Sequence, residues 1–232
     1  MPASFNILSD IQINAKSRFL RIEPVNLSVT LREIFESLMD ISWLEQFRDT
    51  PLYDAFKDCV TPTLDIIARD FQNGNLTQVD SDAGEKVVSE LARQTVVNYL
   101  GYFDIPLSEL FKEERSQCPG FDFLSMNHNS ILLFGEAKYQ AGKYAYNSSL
   151  NQIQEFIGEK KDSKDIVSIT RFIPFERYPQ PYANFKNGEK GYMAAFSARE
   201  MTDQRLIDNI TGLDSFKFLQ QYPEVICIAV NV

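Results

Sequence analysis

The apolar run Ile131-Leu132-Leu133-Phe134-Gly135 passes directly into Glu136-Ala137-Lys138. A run of that length reads as a buried strand, and charges at the end of one are costly unless paired or metal-bound. Residues two apart on a strand share a face, so Glu136 and Lys138 project together. Fourteen residues before Glu136, Asp122 lies in the segment Gly120-Phe121-Asp122-Phe123 and opens a strand there. The intervening Asn127-His128-Asn129-Ser130 fits a hairpin tip, which returns Asp122 to the neighbourhood of Glu136. Two carboxylates can hold a divalent cation while the lysine beside them positions an attacking water. These residue types suit metal-dependent phosphodiester hydrolysis; the blander reading is a structural ion pair.

The rest of the chain reads as an α/β protein. Residues 5–22 suggest a strand or hairpin. Ser28 to Phe47 has helical apolar spacing, with Ser28 or Thr30 as cap, and Thr61-Pro62 opens a second helix that Asn73-Gly74-Asn75 ends. Residues 1–78 are therefore expected to be a mostly helical N-terminal extension, a region for docking a partner through Phe35, Leu38, Trp43, Leu44 and Phe47. From residue 79 to 232 the expectation is a mixed sheet flanked by helices. In that part, 82–100 and 147–160 read as helices and Asp165–Phe172 as a strand. Pro174–Gly191 reads as a loop too long to be idle, Tyr192–Phe196 as a short strand, Asp203–Leu219 as helix and Glu224–Val230 as a final strand.

A third acid is expected from the helix over 82–100. Glu85 borders its apolar stripe of Val88, Leu91 and Tyr99, whereas Glu90 points well away from it, so Glu85 is preferred as a metal ligand. Gln152, on the helix after Lys138, can reach the site or a phosphate, or lie exposed. Lys143, with Tyr144 and Tyr146, can touch substrate or form a solvated loop. The second Glu-x-Lys, Glu159-Lys160-Lys161, sits in a charge run and reads as a solvated helix C-terminus. His128, the only histidine, reads as a turn residue.

Net charge of −9 and a sequence pI near 4.8 oppose unaided DNA binding, because phosphate contacts dominate such affinity. Either a local patch (Lys160, Lys161, Lys164, Arg171) or a partner must supply it. The first twenty residues carry Asp10, Lys16 and Arg18, and no apolar run suits a membrane helix, so neither a secretory signal nor a span is expected. Cys59, Cys118 and Cys227 are widely spaced and odd in number, which fits a reducing cytoplasm better than a disulfide framework or zinc site.

Taken as a set, Glu85, Asp122, Glu136-Ala137-Lys138 and Gln152 resemble the PD-(D/E)xK nucleases, with Phe121 in the place of the proline. Gly120-Phe121-Asp122, Leu133-Phe134-Gly135-Glu136-Ala137-Lys138-Tyr139 and the helix near Gln152 are similar to the HamA nuclease subunits of Hachiman antiphage defence systems and the related AbpA family, best over residues 80–170. The resemblance implies a restriction-endonuclease-like core and a deoxyribonuclease using Mg2+, or Mn2+. It also implies metal ligands Asp122, Glu136 and Glu85, and a superfamily-2 helicase partner that delivers DNA. The competing expectations are a catalytically inactive interaction module of the same fold and a stand-alone restriction or repair nuclease.

Overall fold

The computed structural model describes residues 5–73, 81–112, 120–141 and 145–232. Six strands form one mixed sheet in the order β1-β2-β6-β5-β4-β3: β1 (Phe5–Asn14), β2 (Ser17–Pro24), β3 (Phe123–Met126), β4 (Leu132–Lys138), β5 (Lys190–Ser197) and β6 (Val225–Val230). The four inner strands β2, β6, β5 and β4 run parallel, and β1 and β3 close the edges antiparallel. Every residue of β6 is buried, the near-continuous apolar pattern of a strand covered on both faces. The parallel arrangement brings the C-terminal ends of β4, β5, β6 and β2 to one edge of the sheet, where open α/β sheets bind ligands.

Two groups of helices flank this sheet. The first comprises α1 (Leu27–Met39), α2 (Leu52–Asn73) and α3 (Ser81–Gln94), with α1 and α2 packed on α3 and α3 packed on β3 to β6. The second centres on α4 (Tyr146–Gly158), which packs on β4 and β5 and is backed by α5 (Lys161–Phe172) and α8 (Asp214–Leu219). Helix α6 (Pro179–Lys186) leads into β5, and α7 (Asp203–Gly212) precedes α8. Among the described residues no helix is long and apolar enough to cross a membrane.

Several elements differ from the sequence expectation. Residues 5–24 are not part of a helical extension: β2 pairs along β6, so the helical portion begins only at Leu27. Asn26, not Ser28 or Thr30, caps α1, its side chain accepting the Val29 N–H at 3.1 Å. Pro62 lies inside α2, which starts ten residues earlier at Leu52. Buried Phe56 and Val60 extend the helical stripe upstream of the proline, and Phe56 packs against Trp43, Phe47 and Phe172 at centroid distances of 5.0–5.8 Å. That aromatic cluster offsets the backbone hydrogen bond the proline cannot donate. Leu38, Leu44 and Phe47, expected on a docking surface, are core residues, and Phe35 and Trp43 pack against them.

Residues 165–172 belong to a helix and not to a strand. Ile166, Ile169 and Phe172 are buried at helical spacing, while Val167 is 61% exposed; the adjacent Ile166-Val167 pair mimics a strand without being buried on both sides. The 174–191 stretch contains α6, entered through Pro179 at its first position. The 203–219 helix is two helices that meet at Leu213. The expected turn at 127–130 is present, Ser130 N–H bonding Asn127 O at 3.1 Å.

Candidate active site

Strand β4 carries its charges at the edge where the parallel strands end. Phe123 pairs with Gly135 across β3 and β4, and the ladder continues as Asp122 N–H donates to Gly135 O at 2.9 Å. Asp122 Oδ2 then accepts the Ala137 N–H at 2.8 Å, which ties its carboxylate to the backbone between Glu136 and Lys138. Glu136 is 1% exposed. Its Oε1 pairs with Lys138 Nζ at 3.0 Å, and Lys138 Nζ reaches Glu85 Oε1 on α3 at 3.3 Å. Asp122, Glu136, Lys138 and Glu85 are thus brought together.

One atom in this group lacks a partner. Glu136 Oε2 is one of four buried side-chain polar atoms among the described residues with no hydrogen bond, although an unsatisfied buried carboxylate oxygen is expensive. Burial, and next the charge of Asp122, push the Glu136 carboxyl up, with Lys138 pulling the other way. Burial likewise raises Asp122 against the opposing Ala137 N–H and Lys138. Burial works against the Lys138 ammonium, but Glu136, Asp122 and Glu85 more than offset it, and its pKa lies above the ordinary lysine value.

The group is held from several sides. Ser149 on α4 donates to Glu136 O at 2.8 Å, and the Gln140 N–H donates to Ser197 Oγ at 3.0 Å, joining the ends of β4 and β5. Gly84 permits the approach of α3: a Cβ there would stand 2.1 Å from Tyr139 Cδ1, so a side chain at this position requires the Tyr139 ring or α3 itself to shift. On the other flank, buried Asp165 accepts the Phe121 N–H through Oδ2 at 2.9 Å and pairs with Lys112 Nζ through Oδ1 at 2.9 Å. Lys112 Nζ also donates to Phe121 O at 3.2 Å. Both backbone groups of Phe121 are therefore occupied by side chains immediately before Asp122. The Phe121 ring, fully buried, packs on Phe134, Phe156 and Tyr192.

Glu85 enters the group through Lys138, and Glu90 is not a surface residue. It is 1% exposed, accepting from Ser37 Oγ at 2.7 Å and pairing with Arg93 at 2.8 Å. The reason is that α3 lies between the sheet and α1, so its face away from the sheet is also covered. Gln152 is half-buried, three residues on from Ser149, and is not joined to the carboxylates. Lys143 and Tyr144 lie outside the described residues, while Tyr146 packs on Phe196 at 6.0 Å. Glu159 caps the end of α4 as expected, but Lys161 is not solvated: it opens α5, is buried and pairs with Glu159 at 3.3 Å. His128 occupies the turn and contacts Leu100 O at 3.0 Å.

Asp165, Lys112 and Ser149 did not stand out in the sequence. A signal for Asp165 was available: on a helical reading, Asp162, Asp165, Ile166 and Ile169 share one face, and two aspartates on a buried face need partners. A cavity of about 360 Å³ opens along the same sheet edge, lined by Glu23, Leu27, Arg199, Glu200 and Asn231, apart from the carboxylates.

The donor set fits a hard divalent cation. Among the described residues no group of three or more His, Cys, Asp or Glu side chains is assembled to hold a metal, which leaves the two carboxylates of Asp122 and Glu136. Magnesium is commonly held by one or two carboxylates, with waters and substrate phosphates completing its shell, and the partnerless Glu136 Oε2 is a free oxygen donor. No family model, no curated protein and no solved structure matches this chain.

Proposed function

We propose that this chain is a metal-dependent DNA endonuclease of the PD-(D/E)xK type with a restriction-endonuclease-like core. The observation that carries the reading is Glu136 Oε2, buried without a partner beside Asp122 at the end of a parallel strand. In this reading Asp122 and Glu136 hold Mg2+ or Mn2+. When bound, such a cation polarises the scissile phosphate and lowers the pKa of a nearby water. Lys138, restrained by Glu136 and Glu85, presents an ammonium that orients the attacking water and steadies charge developing on the phosphate. Glu85 acts by keeping Lys138 charged and in place.

The net charge of −9 makes a DNA-delivering partner part of the same proposal, and the resemblance names its class as a superfamily-2 helicase within an antiphage defence complex. The test is supercoiled plasmid incubated with Mg2+, with and without a superfamily-2 helicase from the same source. Wild type is expected to cut, and Asp122→Ala, Glu136→Ala and Lys138→Ala each to lose at least about a hundredfold in rate. Near-wild-type cutting by Glu136→Ala would place the chemistry elsewhere. A second reading, an inactive module of the same fold, is favoured by Glu85 being engaged with Lys138, which leaves only two acids for a metal. It predicts no cutting by wild type with or without the helicase.

A further inference from the structure

The segment from Phe175 to Lys190 is not used by the carboxylate site, and it carries a surface of a different kind. Helix α6 presents Tyr182 and Lys186 at four-residue spacing, on one face, and Tyr178 stands immediately before it at the N-cap position. All three are exposed, Tyr178 to 49% and Tyr182 to 43%. Phe175 stacks on Tyr182 at 5.2 Å with rings 17° from parallel. The Arg177 guanidinium lies 5.5 Å from the centre of the Tyr178 ring, and Lys186 Nζ 5.7 Å from that of Tyr182.

The mount is rigid. Pro179 starts the helix and Pro181 is buried beneath it. Buried Asn184 donates to Ser130 O at 3.0 Å and accepts from Gln180 at 2.6 Å, which fastens α6 to the turn before β4. Lys190 is paired with Asp162, so the exposed cations of this surface are Arg177 and Lys186, with Glu176 and Glu189 beside them in the sequence. Exposed aromatic rings beside cations, on a support that loses little entropy on binding, are the parts of a single-strand nucleic-acid platform.

We propose that the α6 surface binds single-stranded nucleic acid, with bases stacking on Tyr178 and Tyr182 and phosphates meeting Arg177 and Lys186. Lys190, just after α6, pairs with Leu132 at the start of β4, and Glu136 lies about 13 Å further along that strand. The platform therefore holds a strand at the end of β4 opposite the carboxylates. The proposal goes beyond the cleavage reading, since binding here needs neither carboxylate nor metal.

The test is fluorescence anisotropy of a labelled oligothymidylate with the full chain in EDTA, where cleavage plays no part. Wild type is expected to bind, and Tyr178→Ala/Tyr182→Ala to bind at least about tenfold more weakly, while Tyr178→Phe/Tyr182→Phe retains binding. The exposed-cation variant Arg177→Ala/Lys186→Ala, which removes no buried group, is expected to weaken binding and to flatten its salt dependence by about one to two in log–log slope. No binding by wild type at about 100 µM, the weak limit of ordinary non-specific association, would overturn the proposal. So would equal binding by the alanine pair, or displacement of the oligonucleotide by polyglutamate but not by unlabelled oligothymidylate.

Discussion

At the scale of single residues, the carboxylate pair carries an electrostatic load that its protein partners only partly offset. Glu136 and Asp122 both have carboxyl pKa values raised, chiefly by burial. A carboxyl whose folded pKa exceeds its unfolded value binds protons more tightly in the folded state. Its contribution is therefore favourable in acid and is lost as pH rises from about 4 through the raised value. Glu136→Gln is expected to be more stable than the metal-free wild type at pH 8, by on the order of 1 kcal/mol or a few degrees in Tm, with the advantage vanishing near pH 4. Thermal melts in EDTA across that range check it; an advantage that grows toward acid would contradict it. Asp165 is a second residue-scale case. Asp165→Ala removes the acceptor of the Phe121 N–H and the partner of Lys112, at a cost of about 1–3 kcal/mol. Hydrogen exchange at the amides of Phe121 and Asp122 should accelerate in this variant, and Asp165→Asn, which can still accept the N–H, should restore much of the protection.

What the sequence revealed at this scale follows from chemistry. Glu136 and Lys138 were legible because charge at the end of an apolar run is self-announcing, and Asp122 because a turn-rich quartet places it opposite. Glu90 and Asp165 were not, because their burial depends on which helices cover them, and that is a tertiary property. Glu90 lies away from the apolar stripe of α3, and it is the packing of α1 on that face that buries it.

Elements were read well where one periodicity dominated and poorly where two competed. Helix α4 and strand β6 have single clear patterns, and their structure follows them closely; the helix expected over 82–100 ends as α3 at Gln94 and widens to a π-helical turn over Thr95–Tyr99, which leaves Tyr99 of its expected stripe 46% exposed. In α5 the adjacent Ile166 and Val167 imitate a strand, and only the exposure of Val167 resolves the ambiguity. Ile169→Ala is expected to destabilise by about 2–4 kcal/mol, as a fully buried truncation, whereas Val167→Ala should stay within about 0.5 kcal/mol. Urea denaturation of the two variants distinguishes helix from strand, since Val167 and Ile169, two residues apart, would share one face of a strand and be about equally costly. Pro62 was read as a helix start because proline favours that position; packing of Phe56 and Val60 upstream overrides the local preference.

For the whole molecule, the sheet joins the two ends of the chain. Strand β6 lies between β2 and β5, so the N-terminal hairpin covers an edge that would otherwise be entirely apolar. A fragment of residues 79–232 exposes that edge and is expected to aggregate; a folded, monomeric fragment by size-exclusion chromatography and circular dichroism would show the hairpin to be dispensable. The overall charge of −9 predicts weak duplex binding that falls further with salt, and it is the reason a helicase partner enters the proposal.

The most direct measurement is Mn2+ binding, read by electron paramagnetic resonance with Mg2+ as competitor. Two carboxylates and an otherwise partnerless oxygen at Glu136 predict a Mg2+-displaceable site that tightens as pH rises, because protons compete for the same oxygens. Binding should be lost in Glu136→Gln and Asp122→Asn and kept in Glu90→Gln, provided the last still folds. Wild type that binds no metal, or Glu136→Gln that binds it as wild type does, would contradict the assignment of this centre.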